Sequence, residues 1–228
     1  MLNVYEEPSY RNKRHVFTDR YNAGELLARF LQPHLHGLSP ATVLAIPSGG
    51  VPVGLTVSQH LSLDFDLIPV RKVQIPGNPE AGFGAVALQG QIFFNQSLLR
   101  QLRLSQEQIE QQVEKVRSEL RERNEAFRAG ALLPDLSERT ALLVDDGLAS
   151  GYTMIAAMDT ARKQGATKVA VAVPTAPLHS LENISPLADL VFALLVKESG
   201  PFAVADAYSN WRDLDSEEVR QMLQQKEH

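Results

Sequence analysis

Short apolar runs alternate with amphipathic segments along this chain, and no other property of it constrains the fold as much. The runs TVLAIP at 42–47, DLIPV at 66–70, ALLV at 141–144, KVAVAV at 168–173 and LVFALLV at 190–196 have strand length and little polar interruption. Strands covered on both faces read this way. Between them, residues 21–31 group Leu26, Leu27, Phe30 and Leu31 on one helical face, with Thr18 or Asp19 placed to cap the first turn. Helical patterns recur at 53–61 and from Gly151 to about Gln164. Strands alternating with helices predict an α/β fold with a parallel sheet. With 228 residues, 44% of them hydrophobic, the chain has material for one sizeable core, so a single domain over 1–228 is expected.

Two segments stand outside that rhythm. Residues 71–90 carry Pro76, Pro79, Gly77, Gly82, Gly84 and Gly90, which predicts a loop or loose hairpin; loops of that length in compact domains are usually functional or disordered. Residues 105–128 read as one highly charged helix whose Ile109, Val113, Val116, Leu120 and Phe127 form a single apolar stripe. That stripe is expected to lie on the body of the protein; a contact between subunits, and hence a homodimer, is the alternative.

Composition removes several classes of function. There is no cysteine, so neither disulfides nor thiolate chemistry enter, and a reducing cytoplasm is the expected location. No signal peptide or membrane-length apolar run is read from the sequence, so no membrane partner is expected. A formal charge of −5 argues against a nucleic-acid partner held by bulk electrostatics. His34 and His36 in PHLHG, and His179, read as ordinary loop histidines, and no direct metal ligand is assigned. The phosphate-loop pattern G-x-x-x-x-G-K-[ST] and the dinucleotide pattern G-x-G-x-x-G are both missing.

Chemistry concentrates in LLVDDGLASGYTM, 142–154. Asp145 and Asp146 stand where a parallel strand should run out into the ligand crevice, and two like charges side by side are costly without compensation. A loop of small residues follows and turns directly into a helix, exposing backbone N–H groups and the positive end of the helix dipole, with Ser150 and Thr153 adding hydroxyls. Such a loop suits a phosphate monoester, and a carboxylate pair beside it suits neighbouring hydroxyls or a magnesium ion held largely through its substrate. Together they describe a ribose 5-phosphate.

ALLVDDGLASGYT, 141–153, resembles the phosphoribosyl pyrophosphate (PRPP) binding motif of the type I phosphoribosyltransferases. AIPSGGVPVG, VRKVQIPGNPEAGFGAV and AVAVPTAP stand in the order and approximate spacing of a bacterial group of predicted phosphoribosyltransferases. The resemblance implies a central parallel sheet of about five strands flanked by helices, a core over about 20–197, and a small hood from residues 1–19 and 198–228. It also implies a magnesium-dependent reaction in which PRPP loses pyrophosphate from C1 of the ribose while a small-molecule acceptor, such as a nucleobase, adds. Asp145 and Asp146 would hold the ribose hydroxyls, and Ala149, Ser150, Gly151, Tyr152 and Thr153 the 5-phosphate. Ser48, Gly49 and Gly50, with Arg71 and Lys72, would bind the pyrophosphate; Asp145, Asp146, Arg71 and Lys72 would be the catalytic set. Relatives often have a cis peptide in the pyrophosphate loop, here expected between Ser48 and Gly49, and use the 71–90 segment as a mobile lid.

Two positions depart from the family pattern, and a third, Ala149, from only part of it. Gly147 replaces an aliphatic residue, with looser loop packing as the expected result. Ser48 replaces a basic one, so charge for the diphosphate must come from elsewhere, and Ala149 replaces the aspartate that relatives acting on 6-oxopurines use to deprotonate the base. Tyr208 and Trp211 are expected to be packing residues, with stacking on a base as the alternative. A PRPP- or nucleotide-sensing regulator with the same fold and little catalysis is the rival reading.

Overall fold

The structure, a computed structural model, describes residues 3–38, 40–88 and 91–226. In chain order its elements are β1 (Val4–Glu6), α1 (Arg20–Leu31), α2 (Leu35–Leu38), β2 (Ala41–Ala45), α3 (Gly50–Leu61), β3 (Asp64–Leu67), β4 (Val70–Ile75), β5 (Asn78–Ala87), β6 (Ile92–Phe94), α4 (Gln96–Leu102), α5 (Gln106–Arg128), β7 (Thr140–Val144), α6 (Tyr152–Lys163), β8 (Lys168–Pro177), α7 (Leu178–Ile184), β9 (Leu190–Lys197) and α8 (Ser216–Lys226). Six strands pair in parallel in the order β1-β9-β8-β7-β2-β3. The sixth is β1, which sequence reasoning assigned to the hood; it adds to the sheet edge beside β9.

Alternate residues of each strand enter different cores. Val43, Leu142, Val144, Ala170 and Ala172 pack with Leu27, Leu31, Val53 and Val57 of α1 and α3. Leu44, Leu143, Val171 and Ala193 pack with Met154, Ala157, Met158 and Ile184 of α6 and α7. Burial on both faces is why these strands read as unbroken apolar runs. Asp19 caps α1, its side chain accepting from the Asn22 N–H at 2.9 Å.

Two sequence expectations are corrected. DLIPV is not one strand: β3 ends at Leu67 and β4 begins at Val70, with Pro69, which has no N–H to give a ladder, at the break. The segment beyond it is a built antiparallel sheet, β4-β5-β6, rather than a loop or loose hairpin. Val73, Phe83 and Val86 of this ribbon are buried against Val113, Val116 and Leu120 of α5. Each such side chain contributes about 1.5–3 kcal/mol when fully buried, which outweighs the weak strand propensity of the glycines. Gly82 and Gly84 meet tight neighbours there: a Cβ would fall 2.3 Å from Lys72 Cγ and 2.5 Å from the Phe93 carbonyl oxygen, respectively. Gly90 lies outside the described residues. The α5 stripe thus lies on the body of the protein, and Ser105 closes a capping box with Gln108 at the helix start.

Residues 13–18 and 204–212 form a cap laced by backbone hydrogen bonds, among them Phe17 N–H to Ala207 O (3.0 Å) and Asn210 N–H to Thr18 O (2.8 Å). Helix α8 packs on α3 through Val219, Val51 and Leu55. Among the described residues no helix is long and apolar enough to cross a membrane.

Candidate active site

Strand order reverses between β2 and β7, so the crevice at their C-terminal ends is where a ligand site belongs in an open parallel sheet. From β2 emerge Pro47, Ser48 and Gly49; from β7 emerge Asp145 and Asp146. Gly49 and Asp146 are in direct opposition, for a Cβ on Gly49 would lie 1.9 Å from Asp146 Oδ2, so glycine is required there. The cis peptide joins Pro47 and Ser48, one bond before the expected position.

Asp146 is held from three directions. Arg20 Nε donates to its Oδ2 at 2.8 Å, and the Tyr208 hydroxyl donates to its carbonyl oxygen at 2.5 Å. Its N–H donates to Asp145 Oδ1 at 2.9 Å. Arg20 is itself buried; it donates to the Arg212 carbonyl at 2.8 Å and stacks 3.9 Å from the Trp211 ring centroid.

Burial pushes the Asp145 carboxyl well above the usual carboxylate range, and the adjacent Asp146 charge pushes it further. Asp146 is also raised by burial, against the opposing pull of Arg20. Arg20 therefore favours charge on Asp146, and Asp145 is the more readily protonated of the two. Burial, then Asp146, pushes the Tyr208 phenol well up, which keeps it a neutral donor.

Across the crevice stand cations. Arg71 and Lys72 lie on β4, with Arg71 Nε 2.6 Å from Glu119 Oε2 of α5. Arg123, also on α5, reaches Ser48 Oγ at 3.4 Å. A cavity of about 520 Å³ joins the two sides, and Ser48, Gly49, Arg71, Lys72, Asp145, Asp146 and Thr153 all line it. Gly50 lies behind the loop, where a Cβ would fall 2.7 Å from the Val144 carbonyl oxygen. Ala149, Ser150, Gly151 and Tyr152 form the turn into α6 without lining the cavity. Gly151 takes a left-handed φ of 84° and no side chain caps the helix, which leaves the first-turn amides to other acceptors. Tyr152 packs its ring on the core beneath.

Residues 21–205 match the family model described as the phosphoribosyl transferase domain. The chain belongs to that family. Two proteins from strains of Mycobacterium tuberculosis, each named provisionally as a phosphoribosyl transferase, are 37% identical over 204 residues, covering 90% of this chain. The chain spans less than half the length of these curated relatives, 45%. The crystal structure of TT1426 from Thermus thermophilus is 36% identical with a TM-score of 0.72, and the match covers 92% of this chain and 98% of that one.

Seen as a family member, the chain has a substitute for the side chain missing at Gly147. A Cβ there would fall 2.5 Å from Val204 Cγ1 and 3.0 Å from Thr175 Cγ2, so Val204 of the cap fills the space and the expected loosening does not occur. Sequence reasoning missed Arg20 and Arg123. Arg20 did leave a signal, because an arginine right after the N-cap sits against the positive end of its helix dipole and needs another partner. Tyr208, 1% exposed, is the expected packing residue, whereas Trp211 gives one face to Arg20 and also lines the cavity. His34 packs among the rings of Tyr5, Phe30 and Phe192.

Proposed function

We propose that this chain transfers the ribose 5-phosphate group of PRPP to a small-molecule acceptor, releasing pyrophosphate in a magnesium-dependent reaction. The observation that carries the reading is the opposition, across one cavity, of a part-buried acidic pair and a set of cations. The bond from C1 to the diphosphate oxygen breaks with its electron pair going to pyrophosphate, a bond from the acceptor atom to C1 forms, and the acceptor's proton is lost. Asp145 and Asp146 bind the ribose hydroxyls and favour the positive charge that develops on the ring. Ser48 and the Gly49 backbone, with Arg71 and Lys72, take the diphosphate, and the amides opening α6, with Thr153, take the 5-phosphate. Holding both ends of PRPP fixes C1 for attack, so positioning does most of the work.

Among the described residues no three histidine, cysteine or acidic side chains converge as a metal cage. Such a site fits a magnesium ion carried mainly by the diphosphate, which Asp145, whose carboxylate Arg20 does not engage, would help to hold. Bound there, the ion would neutralise diphosphate charge. On the acceptor side, Ala149 leaves no carboxylate at that position, while Trp211 offers a ring beside the cavity. An acceptor able to lose its proton without an acid at 149, such as an aminopurine or an amine, fits best.

PRPP with magnesium is expected to raise the melting temperature, and ribose 5-phosphate to raise it less. No shift from either at millimolar concentration refutes the reading. Incubation with PRPP and a panel of bases and amines, followed by pyrophosphate release, then identifies the acceptor. Tight PRPP binding with no release for any of them supports a regulator.

A further inference from the structure

We propose that Arg123 of α5 binds the pyrophosphate leaving group, supplying from a neighbouring helix the basic side chain that the loop lacks at Ser48. This inference rests on the PRPP reading above. Arg123 lines the same cavity as Asp145, Asp146, Arg71 and Lys72, and its Nη1 donates to Ser48 Oγ at 3.4 Å. It therefore stands against the very residue where charge is missing.

The other arginines of this part of α5 have carboxylate partners. Arg117 and Arg121 pair with Glu114, and Arg128 pairs with Asp66 at 2.8 Å. Arg123 forms no ion pair among the described residues, although it is half-buried. Burial, and then the charge of Arg71, push its guanidinium below the usual arginine value, with Glu119 the only opposing influence. The guanidinium groups of Arg71 and Arg123 thus stand close together on one rim of the cavity. Like charges gathered that closely are costly without an anion between them, and a diphosphate, with its several negative oxygens, satisfies two forked donors at once.

The helix spacing shows why Arg123 faces inward. It follows the buried Leu120 by three residues and precedes the partly buried Phe127 by four, so it borders the apolar stripe beside the buried Asn124. A half-buried arginine at the edge of that stripe, within reach of Ser48, is placed for a partner in the cavity.

Isothermal titration of the full chain with inorganic pyrophosphate, PRPP and ribose 5-phosphate, each with magnesium, tests this. Arg123→Gln is expected to weaken pyrophosphate and PRPP binding by about ten- to a hundredfold and to leave ribose 5-phosphate within about twofold. Arg123→Lys, which keeps the charge and loses the fork, should recover part of the loss. The outward-facing Arg121→Gln should change none of the three. Equal pyrophosphate affinity in wild type and a folded Arg123→Gln overturns the inference while leaving the PRPP reading intact. Wild type that binds pyrophosphate but neither PRPP nor ribose 5-phosphate overturns the PRPP reading, and binding of none of the three overturns both. If Arg123→Gln melts early, Arg123→Met, which keeps the aliphatic stem and loses the charge, takes its place: unchanged pyrophosphate affinity there overturns the inference.

Discussion

The acidic wall of the cavity is built from backbone, and the basic wall from side chains packed on side chains. Asp145 and Asp146 continue a strand buried on both faces, and Gly49, Arg20 and Tyr208 leave Asp146 almost no freedom. Arg71, Lys72 and Arg123 ride instead on a ribbon and a helix joined through Val73, Phe83, Val86, Val113, Val116 and Leu120. The wall facing the reacting ring is therefore fixed by the fold. The wall facing the leaving group rests on a small core of its own on one face, while Val70, Ala85 and Ala87 tie its other face to the main core and α6.

The largest expected effect lies on the acidic wall. Replacing Asp145 and Asp146 together by asparagine should lower kcat/KM by about a thousandfold or more, measured by pyrophosphate release with the identified acceptor; an unchanged rate removes the pair from the chemistry. The single variants should part company in stability. Asp146→Asn leaves Arg20 buried beside a neutral amide and should cost about 3 kcal/mol. Asp145→Asn should do the reverse near neutral pH. Its carboxyl is raised on folding, so the folded state holds that proton more tightly, and wild-type stability falls as pH climbs from the unfolded value through the raised folded one. Melting temperatures of wild type and Asp145→Asn should accordingly diverge as pH rises, with the variant the more stable.

Gly49→Ala comes next, since its methyl group cannot coexist with the present position of Asp146 Oδ2. Loss of about a hundredfold in kcat/KM is expected with the fold retained, which circular dichroism would check. Gly147→Ala should cost about 1–3 kcal/mol by crowding Val204, and Val204→Ala in the same chain should restore part of it; additive losses in denaturant melts would break the assigned contact. The smallest effect belongs to the basic wall. Glu119→Gln releases Arg71 and removes a carboxylate from beside it, and should tighten pyrophosphate binding by about two- to threefold at low salt, less at high salt.

The difference between the walls also explains what could be read in advance. Strands buried on both faces write themselves as apolar runs, so the sheet and the aspartates at its end were legible. The ribbon was not, because Pro76, Gly77, Gly82 and Gly84 carry turn and hinge signals, while what makes it a sheet is α5, some thirty residues further on. The same distance hid Arg123, whose approach to Ser48 shows only once that helix is seated. Arg20 meets Asp146 across 126 residues, beyond the reach of any local pattern. Val204, standing in for a side chain at Gly147, is a long-range exchange of volume that a single sequence cannot display.

The bond from Tyr208 to the Asp146 carbonyl has a consequence for the order in which the protein is made. Asp146 leaves the ribosome 62 residues ahead of Tyr208, and Arg20 has been waiting 126 residues for it. Until the segment 204–212 emerges, Arg20 has neither the Trp211 ring nor the Arg212 carbonyl to hold it in place. A chain cut short before that point would lack both the partners that fix its acids and the core residues Ala207 and Tyr208, so the site and the packing under it are completed together.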